Sequence, residues 1–365
     1  MRVRFASLIL VLPAFLGCYE PTEGPLPEGR TIYLPDWNYV QGKYFFLINP
    51  NDPSSPTGAV TDIHLYLDDK TVYNNVEKGA QPARVWLDPT TKTPSDPATG
   101  QFHLLYEGDD KDYVVPNDLN FSFPRIELKT ALAPYQTLAV SYRQVINGNT
   151  VDVGTFEPAP GDSLDLKMLR PSDEEWGPNN LTQSVWKDVR YLEAKNVYSV
   201  GVHDIEPGSM RVDVVHDIAG TGGQNPDFID NEFHRRTLLL QALGLDQKNN
   251  FIPTNRAPDT RIDPEYVDLT NGLILFPDLR PFDPDLADIE GTAIRNRSWP
   301  RDLNAERPDT LGWYKDQTSG QPLLSPADVR NREVVPEIYD LKYTELSQTS
   351  FDHHLYTIVI TLNPY

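Results

Sequence analysis

The side chains of this sequence able to hold a metal or attack a substrate are seven histidines, one cysteine and several Asp/Asn-rich loops. His353 and His354 are adjacent near a predicted strand and would point to opposite faces, which suits neither a metal site nor a catalytic triad. His203 and His216 each precede an aspartate, and exposed polar residues at strand edges account for both pairs. Gly220-Thr221-Gly222-Gly223 lacks the Lys-Ser/Thr of a phosphate-cradling loop and runs into Gln224-Asn225-Pro226. No Gly-x-Ser-x-Gly or His-Glu-x-x-His occurs. Paired carboxylates such as Asp109-Asp110 fall in turns, where aspartate bonds its own backbone. The sequence therefore predicts a protein that is not an enzyme and carries no organic cofactor.

The foremost ion candidate is the loop of Asp227, Asp230, Asn231 and Glu232, with Asp246 and Asn250 downstream. Calcium takes roughly six to eight oxygens from such groups, although the glycine and terminal glutamate of an EF-hand are missing here. Two readings stand, a calcium site and a solvated acidic loop.

Cys18 is the only cysteine, which excludes an intrachain disulfide and a multi-cysteine metal site. It closes an apolar run, Phe5 to Leu16, that follows the basic start Met1-Arg2-Val3-Arg4 and is too short to span a bilayer. Gly17 before a lone cysteine reads as a lipobox, in which the acylated thiol becomes the new N-terminus and anchors the chain. Phe15-Leu16 departs from the preferred Leu then Ala or Ser, so an uncleaved anchor is the alternative. Tyr19 after the cysteine, in place of aspartate, favours transit to the outer membrane, on its periplasmic or cell-surface face.

Charge narrows the partners. With 53 acidic against 32 basic side chains the net charge is −21, which repels nucleic acid and anionic head groups. No nucleic-acid partner is expected.

The elements that must carry these residues are short. Thirty-three prolines and 22 glycines interrupt the chain too often for long helices. Strands are expected at Tyr44 to Ile48, Thr61 to Leu67, Phe102 to Tyr106, Thr137 to Tyr142, Ser209 to His216, Leu273 to Phe276 and Leu355 to Leu362. Asn147-Gly148-Asn149 reads as a hairpin turn. Helical pattern is confined to Leu181 to Ala194 and the short run Thr237 to Leu245, with Ser172 and Glu175 spaced as a capping box. Tyr113 to Phe121 weakly echoes Tyr266 to Pro277, each a strand, a tight turn and a strand. The predicted class is mainly β: two β-sandwich-like modules with a few short helices and no transmembrane barrel. The partition is 1–17 signal peptide, 18–30 tether, 31–169 first module, 170–184 linker, 185–295 second module and 296–365 C-terminal β extension.

The order of several stretches is familiar. Leu138-Ala139-Val140-Ser141-Tyr142, Val153-Gly154-Thr155-Phe156 and Leu166-Lys167-Met168-Leu169 come first, then Lys195-Asn196-Val197-Tyr198-Ser199-Val200-Gly201. Met210 to Val214, Leu239 to Asp246 and Asn271-Gly272-Leu273-Ile274-Leu275-Phe276-Pro277 through Phe282 follow. Together they resemble one soluble segment of the SprA/Sov family, the outer-membrane translocon of type IX secretion. Members of that family are several times longer and include a large transmembrane barrel, for which this chain has no strand series. The resemblance implies an outer-membrane lipoprotein acting in or beside secretion, or gliding motility, by binding the translocon barrel or other secretion components. Asn196, Tyr198, Gly201, Asn271, Gly272, Phe276 and Pro277 are the family-motif positions, with a structural or a binding role. The alternative is a stand-alone surface-binding or adhesive lipoprotein with no secretion role.

Overall fold

The computed structural model describes residues 29–49, 59–116, 125–146, 148–156, 162–177, 184–216, 228–230, 236–246, 248–250, 259–277, 280–282, 342–346 and 356–363. In chain order the strands are β1 (Arg30–Pro35), β2 (Tyr44–Phe46), β3 (Val60–Asp68), β4 (Gln81–Trp86), β5 (Ala98–Leu105) and β6 (Tyr113–Val114). Next come β7 (Arg125–Leu128), β8 (Thr137–Ile146), β9 (Asn149–Val153), β10 (Leu164–Arg170), β11 (Val197–Ser199) and β12 (Met210–His216). The series ends with β13 (Phe228–Asp230), β14 (Arg236–Leu238), β15 (Val267–Asp268), β16 (Leu273–Leu275) and β17 (Tyr356–Leu362). The mainly β class with few short helices is what the chain adopts.

The first body is a closed ring rather than half of a sandwich. Strands follow the order β10-β4-β5-β3-β8, and β10 pairs with β4 in parallel and with β8 in antiparallel fashion, so the sheet returns on itself. Closure needs strong local twist, which bulges supply. Register shifts occur where β3 meets β8, between Thr61 and His64, and where β10 meets β8, between Met168 and Arg170. Asp62 takes φ 51° at the first of these. The expected hairpin forms at Gly148, φ 80°, with Ile146 opposite Asn149.

Two of the ring strands carry sequence signals that compete with a strand reading. Pro82 lies in β4 one residue before β10 begins to pair along that edge, so its missing N–H costs no ladder bond there. β10 alternates Leu164, Leu166 and Met168 with Asp165 and Lys167, a period of two hidden inside a polar stretch. Val85, Leu138, Val140, Leu166 and Met168 are fully buried, and β2, β7 and β6 add Phe45, Ile126, Leu128 and Tyr113 to the same core.

The second body joins the two ends of the described chain. Strand β17 lies between β1 and β12, with Ile360 opposite both Ile32 and Val212. Residues 31–35, expected to open the first module, thus share a sheet with residues 210–216 and 356–362, as does Arg30 of the expected tether. Below it β11, β16 and β15 form a smaller sheet, and Ile358, Ile360, Tyr198, Ile274 and Phe276 meet in one core.

Helix content is smaller than the sequence pattern predicts. Between Leu181 and Ala194 the only helical segment of the described residues is the 3₁₀ turn Lys187–Tyr191, whose Val189, with Leu192 just after it, packs onto the first core. The run Thr237 to Leu245 splits into the end of β14 and one helical turn, Leu239–Ala242, stopped at Gly244 with φ 81°. Residues 170–177 are packed rather than extended: Arg170, Ser172 and Trp176 are buried. The capping box forms there as expected, Glu175 Oε2 accepting the Ser172 N–H at 2.9 Å and Ser172 Oγ the Glu175 N–H at 3.3 Å. Among the described residues no helix is long and apolar enough to cross a membrane.

Candidate functional site

The two motifs that carry most of the resemblance lie some seventy residues apart in sequence and against each other in space. Val197, Tyr198 and Ser199 on β11 pair with Leu275, Ile274 and Leu273 on β16. The ladder is extended at both ends, by Val200 N–H to the Gly272 carbonyl at 2.8 Å and Phe276 N–H to the Asn196 carbonyl at 2.9 Å. Asn196, fully buried, also donates its side-chain amide to the Phe276 carbonyl at 2.5 Å. Tyr198, Phe276 and Phe282 stand edge-to-face at 5.2 to 6.0 Å between ring centroids, and Phe282 stacks on Tyr356 of β17 at 5.4 Å. Pro277 is buried beside them.

The turn positions of the motifs differ in what they tolerate. Gly201 and Gly272 both have positive φ, +72° and +61°. A Cβ at Gly201 would meet nothing, whereas one at Gly272 would sit 1.6 Å from the Val202 carbonyl oxygen. Asn271 is exposed, and its N–H and side-chain amide cap Asp268 at 3.0 and 2.7 Å.

One residue outside the motifs ties this unit to the long sheet. Asp36, buried just past β1, accepts the Tyr198 hydroxyl on its carbonyl at 2.5 Å. Its carboxylate accepts the Tyr356 N–H at 3.0 Å, and its own N–H donates to the Tyr356 carbonyl at 2.9 Å. The tether reading placed residues up to Arg30 as extended chain, and no local pattern around Asp36 announces a partner 320 residues away.

A second buried polar group joins the residues after β10 to the segment 342–346. Glu193 accepts the Gly42 N–H at 2.7 Å and the Tyr343 hydroxyl, with Lys195 Nζ at 3.8 Å. The Arg170 guanidinium lies 4.0 Å from the Tyr343 ring centroid and donates to the Gln136 carbonyl and to Asp173. Asp173 in turn accepts the Thr344 N–H and hydroxyl. Every charge in the cluster has a partner, which is what makes its burial tolerable.

The expected ion loop is placed only in part. Cys18, Asp227, Asn231 and Glu232 fall outside the described residues, and Asp230 ends β13 opposite Arg236. Asp246 works as an internal clamp, accepting the Asp259 and Thr260 N–H groups at 3.1 and 2.8 Å and the Gln241 amide at 3.3 Å. Burial holds its carboxyl above the usual range, against the pull of those donors. Asn250 bonds Asp259 and the Ile262 carbonyl. His203 is exposed with its ring 3.0 Å from Asp204; of the tryptophans, Trp176 and Trp186 are buried in the first core, and Trp86 is buried with its indole N–H donating to Asp165.

No protein-family model matches the chain, and no curated protein is matched.

A concavity in the first body was not singled out by the sequence reading. It is a cavity of about 650 Å³ between one face of β8, β9 and β10 and the segments carrying Ile48, Leu87 and Val189. Register puts Tyr142 opposite Val153 and Gln144 opposite Val151, and Lys167 opposite Val140, so all these side chains share that face. Lys167 Nζ donates to the Leu47 carbonyl at 2.8 Å and to the Tyr142 hydroxyl at 3.1 Å. Loss of water around the ammonium pulls its pKa down to about 8, with Asp88 opposing the shift. Lysine as a second residue of an alternating strand reads as solvent-facing, which is why sequence reasoning passed over it.

Two outcomes follow from this geometry. Gly272→Ala should destabilise the protein by more than ~4 kcal/mol or prevent folding, while Gly201→Ala should cost only about 1–2 kcal/mol, measured by urea unfolding. Between about pH 8 and the ~10.4 of an unfolded lysine, the unfolded chain holds a proton that folded Lys167 has released. Stability should therefore rise with pH across that window, and Lys167→Met should flatten the rise in urea midpoints taken from pH 7.5 to 10.

Proposed function

We propose that this protein is a non-catalytic outer-membrane lipoprotein that acts in or beside type IX secretion by binding other proteins. The observation that carries the reading is the pairing of the two resembling motifs. Stretches chosen for their similarity to the SprA/Sov family meet as β11 and β16 and contribute Tyr198, Phe276 and Phe282 to one aromatic core. Packing of this kind serves a frame, which supports reading the resemblance as that of a structural module.

Binding then falls to what the frame leaves outside. Among the described residues, β1 and β12 end their sheet with no further strand partner, and both are long enough to accept an added strand. Tyr33 on β1 is 66% exposed, and Arg211 on β12 is held by Asp213 at 2.9 Å. Charged and aromatic side chains at such edges deter indiscriminate pairing and leave room for a selected partner. The Cys18 lipid would hold these edges near the outer membrane, where the translocon barrel and its companions sit.

Affinity capture of the full chain through a tag after Tyr365, from gently solubilised outer membrane, tests this. Co-purification of an outer-membrane barrel with other secretion components is the expected result. A monomer carrying only its lipid would overturn it and leave a stand-alone surface-binding lipoprotein.

A further inference from the structure

The cavity beside β8, β9 and β10 has no role in the binding proposed above, and its make-up is that of a ligand site. Its volume, about 650 Å³, falls in the roughly 300–1,000 Å³ range of small-molecule pockets. Half of its fourteen lining residues are aliphatic, among them Ile48, Leu87, Ile146, Val151, Val153 and Leu192, and the other half are polar or aromatic. Into this wall the β10 register sets one cation.

The surroundings of that cation leave it incomplete. An ammonium has three N–H donors. Those of Lys167 reach two acceptors, the Leu47 carbonyl and the Tyr142 hydroxyl, both uncharged. The Tyr142 ring lies 5.4 Å from Nζ and adds a weak cation–π contact. Among the described residues no carboxylate comes within ion-pair distance of Lys167, although Asp88 and Asp188 line the same cavity. Asp88 is engaged by its own turn, accepting the Thr90 N–H at 2.8 Å and the Thr90 and Thr91 hydroxyls at 2.6 and 2.8 Å.

A buried cation with no carboxylate in direct contact, at the aliphatic side of a cavity, defines its complement: one negative head group on an apolar body. We propose that the cavity binds an aliphatic monocarboxylate, its carboxylate paired with Lys167 and its chain lying against Ile48, Val151, Val153 and Leu192. A carboxylate completes the third donor of the ammonium with a charge-assisted hydrogen bond, and the chain removes apolar wall from water. Lysine suits this role because a single rotatable point charge accepts a head group without the fixed fork that arginine imposes.

The test uses calorimetric titration of the full chain with octanoate and, as the uncharged control, octanol. Wild type should bind octanoate at least tenfold more tightly than octanol. Lys167→Met, shown folded by circular dichroism, should lose at least tenfold in octanoate affinity and keep its octanol affinity. Should that variant not fold, Val153→Trp fills the cavity from β9 and should abolish binding of both ligands. Equal affinity of wild type for the two ligands, undiminished octanoate binding by Lys167→Met or Val153→Trp, or no octanoate binding by wild type would each overturn the proposal.

Discussion

The second body hangs on Asp36. A carboxylate placed out of water is costly unless hydrogen-bonded, and this one accepts a backbone N–H from β17 while its own peptide group bonds Tyr356 and Tyr198. Three regions separated by 162 and 320 residues are thereby fixed within a few ångströms of one another. Closing loops of that length is an entropic cost met before any contact is gained. What offsets it is the burial of Ile358 and Ile360 of β17 and the aromatic group Tyr198, Phe276, Phe282 and Tyr356. Each part needs the others, so the small β11–β16 sheet and the long β1–β17–β12 sheet should form as one cooperative unit, and late, as non-local topologies do.

The first body is held by a different device. Its ring closes because β10 turns from β8 to β4, and the bulge between Met168 and Arg170 makes that turn. Arg170 then leaves the strand with its guanidinium among the carbonyls of residues 133–136 and over the ring of Tyr343. Glu193 receives the Tyr343 hydroxyl from the other side. A segment from the far end of the chain is thus locked against the first body by paired charges rather than by apolar area, an arrangement that fixes geometry more than it adds stability.

How far the sequence announced this depends on the range of the interaction. Strands β3, β8, β12 and β17 alternate locally and are legible as such, as is the turn at Gly148 and the Ser172–Glu175 box. Ring closure is not, because nothing in Ala83 or Leu164 alone specifies that they pair in parallel. The helical pattern of Leu181 to Ala194 fails for the same reason: Trp186, Val189 and Leu192 are spaced to cover a barrel wall, and a 3₁₀ turn presents them as well as a helix would. That residues 197–199 pair with 273–275 was not legible either, since neither stretch alone specifies the other. Lys167 was invisible as a site because its chemistry arises from what encloses it.

The most direct test of binding through the second sheet is site-specific photo-crosslinking in living cells. A photoreactive residue in place of Tyr33, on the β1 edge, should capture an outer-membrane partner, while one in place of Tyr106, equally exposed beside the first body, should not. Capture from Tyr106 with none from Tyr33 would contradict the account and move the binding surface to the barrel.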